Sequence, residues 1–226
     1  MIVEIAPYGD SAVLATSRGG TAEQRWRAVH RLADAVQAAM PPGVEGVVAT
    51  YDSLLVEFDC DLTTYAAVSA ALRAATPGPA SATASRTFRV PVVYGGEHGP
   101  DLAEVAAELD LPAAEVVRRH AAARWVVRFL GAPVGAPMLD GSPFAAPVRR
   151  CPRPRMEVPA GSVALAGLQA VVYPVRSPGG WRLIGRTPLR LADPARSPVV
   201  AYRPGDVIRF EPVDTWGDDP GRYLDG

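Results

Sequence analysis

Gly179-Gly180-Trp181 and, a few residues on, Arg186-Thr187 are the positions of this chain best suited to hold an anion. Two adjacent glycines let backbone N–H groups come close to a negatively charged ligand. Arg186 offers a planar fork that matches a carboxylate or phosphate, and Thr187 adds a hydroxyl on the same turn. The plainer alternative is that the glycines serve a tight turn and Trp181 is core. Ser162, in Pro159-Ala160-Gly161-Ser162, is a candidate groove hydroxyl, but it has neither the G-x-S-x-G elbow nor a neighbouring histidine, so a strand-entry turn explains it better. His98, in Gly96-Glu97-His98-Gly99, is the histidine best placed for chemistry; its alternative is a surface loop. Arg149, Arg150, Arg153 and Arg155 form a proline-spaced basic run in which Arg153 is the candidate anion contact; a solvated loop is the competing reading. His30 and His120 fall on predicted helices and are expected to face solvent. Asp101 and Glu104 are accounted for as helix-capping residues, so no metal site is expected.

The composition narrows the chemistry further. All 23 basic residues of the 226-residue chain are arginine, and there is no lysine. A Schiff-base lysine, a Ser-Lys dyad and a P-loop lysine are therefore excluded. The net charge of -1 argues against a general nucleic-acid surface. Cys60 and Cys151 are isolated, without metal-binding spacing. The first residues lack a signal-peptide pattern and no apolar run reaches membrane-span length, so a cytoplasmic protein with no membrane partner is expected.

The elements that must position these residues fall into two groups. Ile2 to Ala6 and Ala12 to Thr16 read as strands around a turn at Pro7-Tyr8-Gly9-Asp10. Thr21-x-x-Gln24 is a capping box opening a helix with Trp26, Val29, Ala33, Val36 and Met40 on one face. Val44 to Tyr51 and Leu54 to Phe58 are strands, and Thr63 or Thr64 caps a second helix. This is an α+β unit of ferredoxin-like kind over residues 1–80. Residues 76–85 are the best linker. A second unit over 86–213 begins with a strand at Phe88 to Tyr94, a helix from Asp101 to Leu109, another from Pro112 to about Ala122, and a strand at Trp125 to Leu130. Gly131 to Glu157 shows little regular pattern. Short strands follow at Ser162 to Ala166, Ala170 to Val175, Trp181 to Ile184, Leu189 to Ala192 and Val207 to Val213, which favours a β-barrel or sandwich. Residues 214–226 read as a polar, loosely held tail.

Several of these stretches resemble one family. Val90-Pro91-Val92-Val93-Tyr94-Gly95-Gly96-Glu97, Val158-Pro159-Ala160-Gly161-Ser162-Val163, Tyr173-Pro174, the run Ser177-Pro178-Gly179-Gly180-Trp181 through Ile184-Gly185-Arg186-Thr187-Pro188, and Arg203-Pro204-Gly205-Asp206 are similar to the family of B-type 5-oxoprolinase subunits, also called allophanate hydrolase subunit 1 or KipI-like. Tyr8-Gly9-Asp10-Ser11-Ala12 and Tyr51-Asp52-Ser53-Leu54-Leu55-Val56 agree with its N-terminal signatures. The resemblance implies an N-terminal α+β domain followed by a mainly β, cyclophilin-like barrel. It implies a component of an ATP-dependent amidohydrolase that opens 5-oxoproline to glutamate. The partners implied are a C-type sister subunit, related to allophanate hydrolase subunit 2, and an A-type subunit of the LamB/YcsF-like kind, with ATP bound within the complex rather than necessarily by this chain. Regulation of a histidine kinase, as by KipI-like members, and an allophanate hydrolase role are the alternatives. The family's aromatic-rich loop is altered: Ala132, Ala136 and Met138 stand where two phenylalanines and a tyrosine are usual, which bears on substrate choice. The sequence contains no complete catalytic set, as a site assembled between subunits would require.

Overall fold

The computed structural model describes residues 2–75, 85–216 and 221–225. They form two compact units, Met1–Ala84 and Ser85–Gly226. Most of the expected linker, residues 76–84, lies outside the described residues.

The first unit runs β1 (Ile2–Pro7), β2 (Ala12–Arg18), α1 (Ala22–Ala39), β3 (Val44–Ala49), β4 (Ser53–Phe58) and α2 (Tyr65–Ala74). Its antiparallel sheet has the order β1-β2-β4-β3. The capping box at α1 is complete: Thr21 Oγ1 accepts from Gln24 N at 3.2 Å, and Gln24 Oε1 accepts from Thr21 N at 2.8 Å. The helix stops at Met40, whose φ of 34° is left-handed, before Pro41. Met40 is exposed, and Leu32, which the helical spacing had not put on the apolar face, is buried. Thr64, not Thr63, caps α2. Val13, Ala15, Leu54, Val56 and Phe58, alternating along β2 and β4, meet Val29, Ala33, Val36, Val68 and Leu72 from the helices. The ββαββα order of the chain differs from the βαββαβ order of a ferredoxin-like unit.

The second unit is a closed barrel. Its elements are β5 (Thr87–Tyr94), α3 (Leu102–Glu108), α4 (Ala113–Ala122), β6 (Trp125–Gly131), β7 (Ala136–Asp140), β8 (Arg155–Val158), β9 (Ser162–Ala166), β10 (Gln169–Val172), β11 (Ser177–Gly179), β12 (Arg182–Arg186) and β13 (Val207–Pro212). Seven strands close in the order β10-β7-β6-β13-β5-β12-β9, while β11 and β8 form a separate ribbon. The β13–β5 pair is parallel; the other ladders are antiparallel. Residues of one alternation, among them Phe88, Val90, Val92, Val127, Val163, Leu165, Ile184 and Ile208, share the main core with Val105 and Val116 of the helices. The other alternation of β9 and β10 (Ala164, Ala166, Val171) packs with Ala136, Val158, Tyr173 and Trp181 in a second cluster. That is why all five residues of β9 are buried.

Several expectations fail for identifiable reasons. Gly131 to Glu157 contains β7 and β8: the Ala132–Val134–Gly135 turn is tight, with positive φ at Val134 and Gly135, so a proline- and glycine-rich stretch still folds back as a hairpin. Leu189 to Ala192 is not a strand; it makes isolated bridges from Arg190 to Tyr223 and from Ala192 to Val200. The tail is not loose where it is described, because Tyr223 and Leu224 are buried. His30 is half-buried, its Nε2 lying 3.1 Å from Thr50 O.

His120 is the largest departure, since it is fully buried. Its Nδ1 lies 2.8 Å from Tyr94 Oη, its ring stacks on Phe210 at 4.6 Å, and its carbonyl accepts from Trp125 Nε1 at 2.9 Å. Burial alone pushes its pKa down to about 3. An unfolded His120 takes up a proton as pH falls through about 6.5, whereas the folded one does not until about 3. The unfolded state therefore binds more protons between those values, and stability falls with pH there by up to ~1.4 kcal/mol per unit, with no such loss above that window. Urea midpoints of wild type and His120→Phe between pH 4 and 6 check this. The variant should show the shallower slope, and equal slopes would rule out this residue as the source.

Candidate functional site

The corner where β12 ends brings together four of the eight residues singled out from sequence: His98, Ser162, Arg186 and Thr187. The loop after β5 crosses β12 closely: Gly95 N donates to Ile184 O at 3.0 Å, and Asp101 N to Leu183 O at 3.0 Å. A Cβ on Gly99 would sit 2.1 Å from Ile184 O, so only glycine fits there. This crossing fixes His98. From the other side, Gly161 (φ 80°) donates to Tyr173 O at 2.8 Å and accepts from Thr187 N at 2.9 Å. Arg186 Nε donates to Ala160 O at 2.8 Å, which sets the plane of its guanidinium. Ser162 pairs with Arg186 across β9 and β12.

Burial separates the roles of these groups. Ser162 and Thr187 are buried, and Thr187 Oγ1 accepts from Leu189 N at 3.3 Å, so its hydroxyl serves the turn. His98 and Arg186 are half-buried and meet on the same ring, Trp216: the imidazole stacks on it at 4.7 Å and 21°, and the guanidinium carbon lies 5.1 Å from its centroid. Trp216 was missed in the sequence because it sits in a polar tail; a lone tryptophan in such a tail was the available signal. Gly161→Ala should disturb this corner, because its Cβ would lie 2.3 Å from Thr187 O in a strained left-handed backbone. A stability loss of about 1–3 kcal/mol in chemical denaturation is expected. An unchanged midpoint would contradict the packing.

Gly179, Gly180 and Trp181 lie in a second place. Gly179 pairs with Arg155 in the β11–β8 ribbon, and a Cβ there would come within 2.3 Å of Tyr173 Oη. Gly180 O accepts from Cys151 N at 2.8 Å. Trp181 is 9% exposed, and the Arg150 guanidinium lies 5.7 Å from its ring centroid. These glycines make room for Tyr173, whose hydroxyl burial pushes up in pKa, and Trp181 belongs to a core cluster. Ala136 and Met138 pack in that same cluster, so two of the three altered loop positions lie against Trp181's surroundings.

The basic run is pinned to α3. Arg149 donates to Glu108 Oε1, Arg182 pairs with Glu104, and Arg155 donates to Asp101 Oδ1 at 2.7 Å. Asp101 makes no side-chain cap, contrary to expectation; its other oxygen accepts from Leu183 N at 2.7 Å. Arg155 Nη1 also approaches Cys151 Sγ at 3.1 Å. Arg153 is exposed, without a partner among the described residues. Thus Arg186 and His98 are brought together, while Gly179, Gly180, Trp181 and Arg153 stand apart from them along the ribbon.

The described residues do not suit a nucleoside triphosphate. The chain has no lysine, Gly179 is committed to the ribbon, and the buried Thr187 hydroxyl serves its own turn. Among the described residues there is no cluster of three or more His, Cys, Asp or Glu able to hold a metal ion, and no helix is long and apolar enough to cross a membrane.

A closed seven-stranded barrel with a side ribbon and an arginine–histidine corner, joined to a smaller α+β unit, defines the class of this protein. Residues 3–202 match the carboxyltransferase domain, subdomain C and D, and the chain belongs to that family. It is 41% identical over 187 residues to the B-type 5-oxoprolinase subunit of Escherichia coli, covering 83% of this chain and 84% of that one. It is 48% identical over 127 residues to the Bacillus subtilis protein of the same name, covering 55% of this chain and 52% of that one. The urea carboxylase of Kluyveromyces lactis shares the fold, with a TM-score of 0.73 and 20% identity over 93% of this chain, which spans 22% of that larger polypeptide.

Proposed function

We propose that this chain is the B-type subunit of an ATP-dependent 5-oxoprolinase, which converts 5-oxoproline, ATP and water to glutamate, ADP and phosphate. The observation that carries this reading is the 41% identity extending over 84% of a B-type 5-oxoprolinase subunit. On the same reading the first unit is a ferredoxin-like variant, the second is cyclophilin-like, and the assembly is cytoplasmic.

The chemistry explains why one chain is not enough. A lactam in an unstrained ring is a resonance-stabilised amide, so opening it to completion is coupled to ATP. The nucleotide supplies the driving force when bound within the complex, and not necessarily by this chain. What this chain contributes is a pre-oriented guanidinium at the barrel rim, which can hold a carboxylate and keep the ring in register while companions perform the phosphoryl and proton steps. The companions are a C-type sister subunit, related to allophanate hydrolase subunit 2, and an A-type, LamB/YcsF-like one.

The test is co-expression of this chain with those two companions from the same genome, followed by 5-oxoproline-dependent release of phosphate. Activity should require all three. If the complete set leaves 5-oxoproline untouched but releases ammonia from allophanate, the amide substrate is misassigned; tight binding to a histidine kinase without any turnover would replace the enzyme reading with a regulatory one.

A further inference from the structure

Trp216 is held at the β12 corner in an unusual way. The chain leaves β13 pinned by Val213 N donating to Val92 O at 3.0 Å, and three residues later the indole lies against His98 and Arg186. Its ring N–H is shielded from water yet has no hydrogen-bond partner among the described residues. A shielded donor of this kind is costly, which offsets what the ring contacts contribute. The indole is thus attached by π contacts while one of its own polar groups is left wanting.

The group it covers is also incomplete. Arg186 spends Nε on Ala160 O and has no carboxylate partner among the described residues, whereas Arg155, Arg149 and Arg182 nearby are each paired with an acid. His98 presents a flat face to the indole; its Nε2 is 3.7 Å from Glu97, whose own carboxylate is turned to solvent. A flat ring stacked on an imidazole, beside an uncompensated guanidinium fork, describes the complement of a small planar ring bearing a carboxylate. The indole supplies the ring and lacks the anion.

We infer that His98 and Arg186 form a subsite for a small carboxylate-bearing ring, and that Trp216 is its displaceable cover, standing in the ring's place when the subsite is empty. The choice of 5-oxoproline as the ring, and so as the probe, rests on the proposed function; the contacts of Trp216 with His98 and Arg186 do not. When the ligand enters, its carboxylate takes the free edge of the Arg186 fork, its ring takes the His98 face, and the indole moves out.

The experiment titrates 5-oxoproline into the isolated full chain, following tryptophan emission and, in parallel, heat. Wild type should show a saturable emission change that Trp216→Phe abolishes while leaving the calorimetric affinity close to wild type. Trp216→Ala should bind several-fold tighter, because no ring competes. Arg186→Gln should weaken binding by about tenfold or more, the worth of a charged hydrogen bond. Arg186→Lys keeps the charge without the fork and should give an intermediate affinity, a grading that a folding defect would not produce. Absence of binding to any form, or equal affinity in wild type, Trp216→Ala and Arg186→Gln, would overturn the subsite. Those results leave the proposed enzymatic role to the three-component phosphate assay, so failure of one is distinguishable from failure of the other.

Discussion

Trp181→Ala is expected to lower the stability of the second unit by about 3–5 kcal/mol. The ring is 9% exposed and packs with Val158, Ala164, Tyr173 and Leu183, at the place where the ribbon covers the outer face of β9, β10 and β12. Those outer positions are small, with Ala136, Ala164 and Ala166 among them, so no neighbour can expand to fill the space the indole leaves. The backbone around it is also fixed, since its carbonyl accepts from Cys151 and the preceding Gly180 carbonyl holds Cys151 N. Calorimetric scans of the whole chain should show the transition of this unit lowered by roughly 10 °C. A transition at the wild-type temperature would mean that the ring faces a ligand instead of the core.

Asp101→Ala is the second large effect, about 3 kcal/mol or more. The carboxylate is nearly inaccessible and joins three parts of the chain: the start of α3, Leu183 N on β12 and the Arg155 guanidinium on β8. Arg155 is charged in any case, and the hydrogen bond to Asp101 is the chief cause that raises its pKa further above the ordinary arginine value. Removing the acid leaves a shielded N–H and a half-buried cation without a partner, which costs far more than the pair itself contributes. Arg155 is then free to leave Cys151 and the ribbon, so the thiol should react faster with a maleimide in Asp101→Ala than in wild type. Denaturation and thiol labelling check the two parts separately. A variant as stable as wild type, with Cys151 equally protected, would show that the ribbon is held by its backbone ladder alone.

Asp101 also shows where sequence reading stops. Its spacing to Glu104 fits a helix cap, and nothing local reveals that Leu183 N and Arg155, far away in the chain, compete for the same two oxygens. The Thr21–Gln24 box was legible because both partners lie within one turn. Strands β5, β6, β9, β12 and β13 were visible as apolar runs between glycines and prolines. β7 and β8 were not, since their pairing depends on distant strands and a tight turn, and polar and proline residues break the period. His120 was expected to face solvent as a histidine on a predicted helix; it is buried because Tyr94, Trp125 and Phe210 close around its ring. At the candidate site, Arg186 and His98 were chosen for their chemistry, and the sequence had no means of showing that they share one indole. The same limit applied to Gly179, whose need for a glycine is set by Tyr173 lying across it.

The central claim is that turnover needs groups from more than one polypeptide and that this one brings the rim of a barrel. The most direct measurement is phosphate release from ATP with 5-oxoproline, comparing the purified chain, its two companions together, and the full set. Release that appears only in the full set and depends on 5-oxoproline is the predicted result. Ring opening by this chain alone, or by the companions without it, would contradict the account.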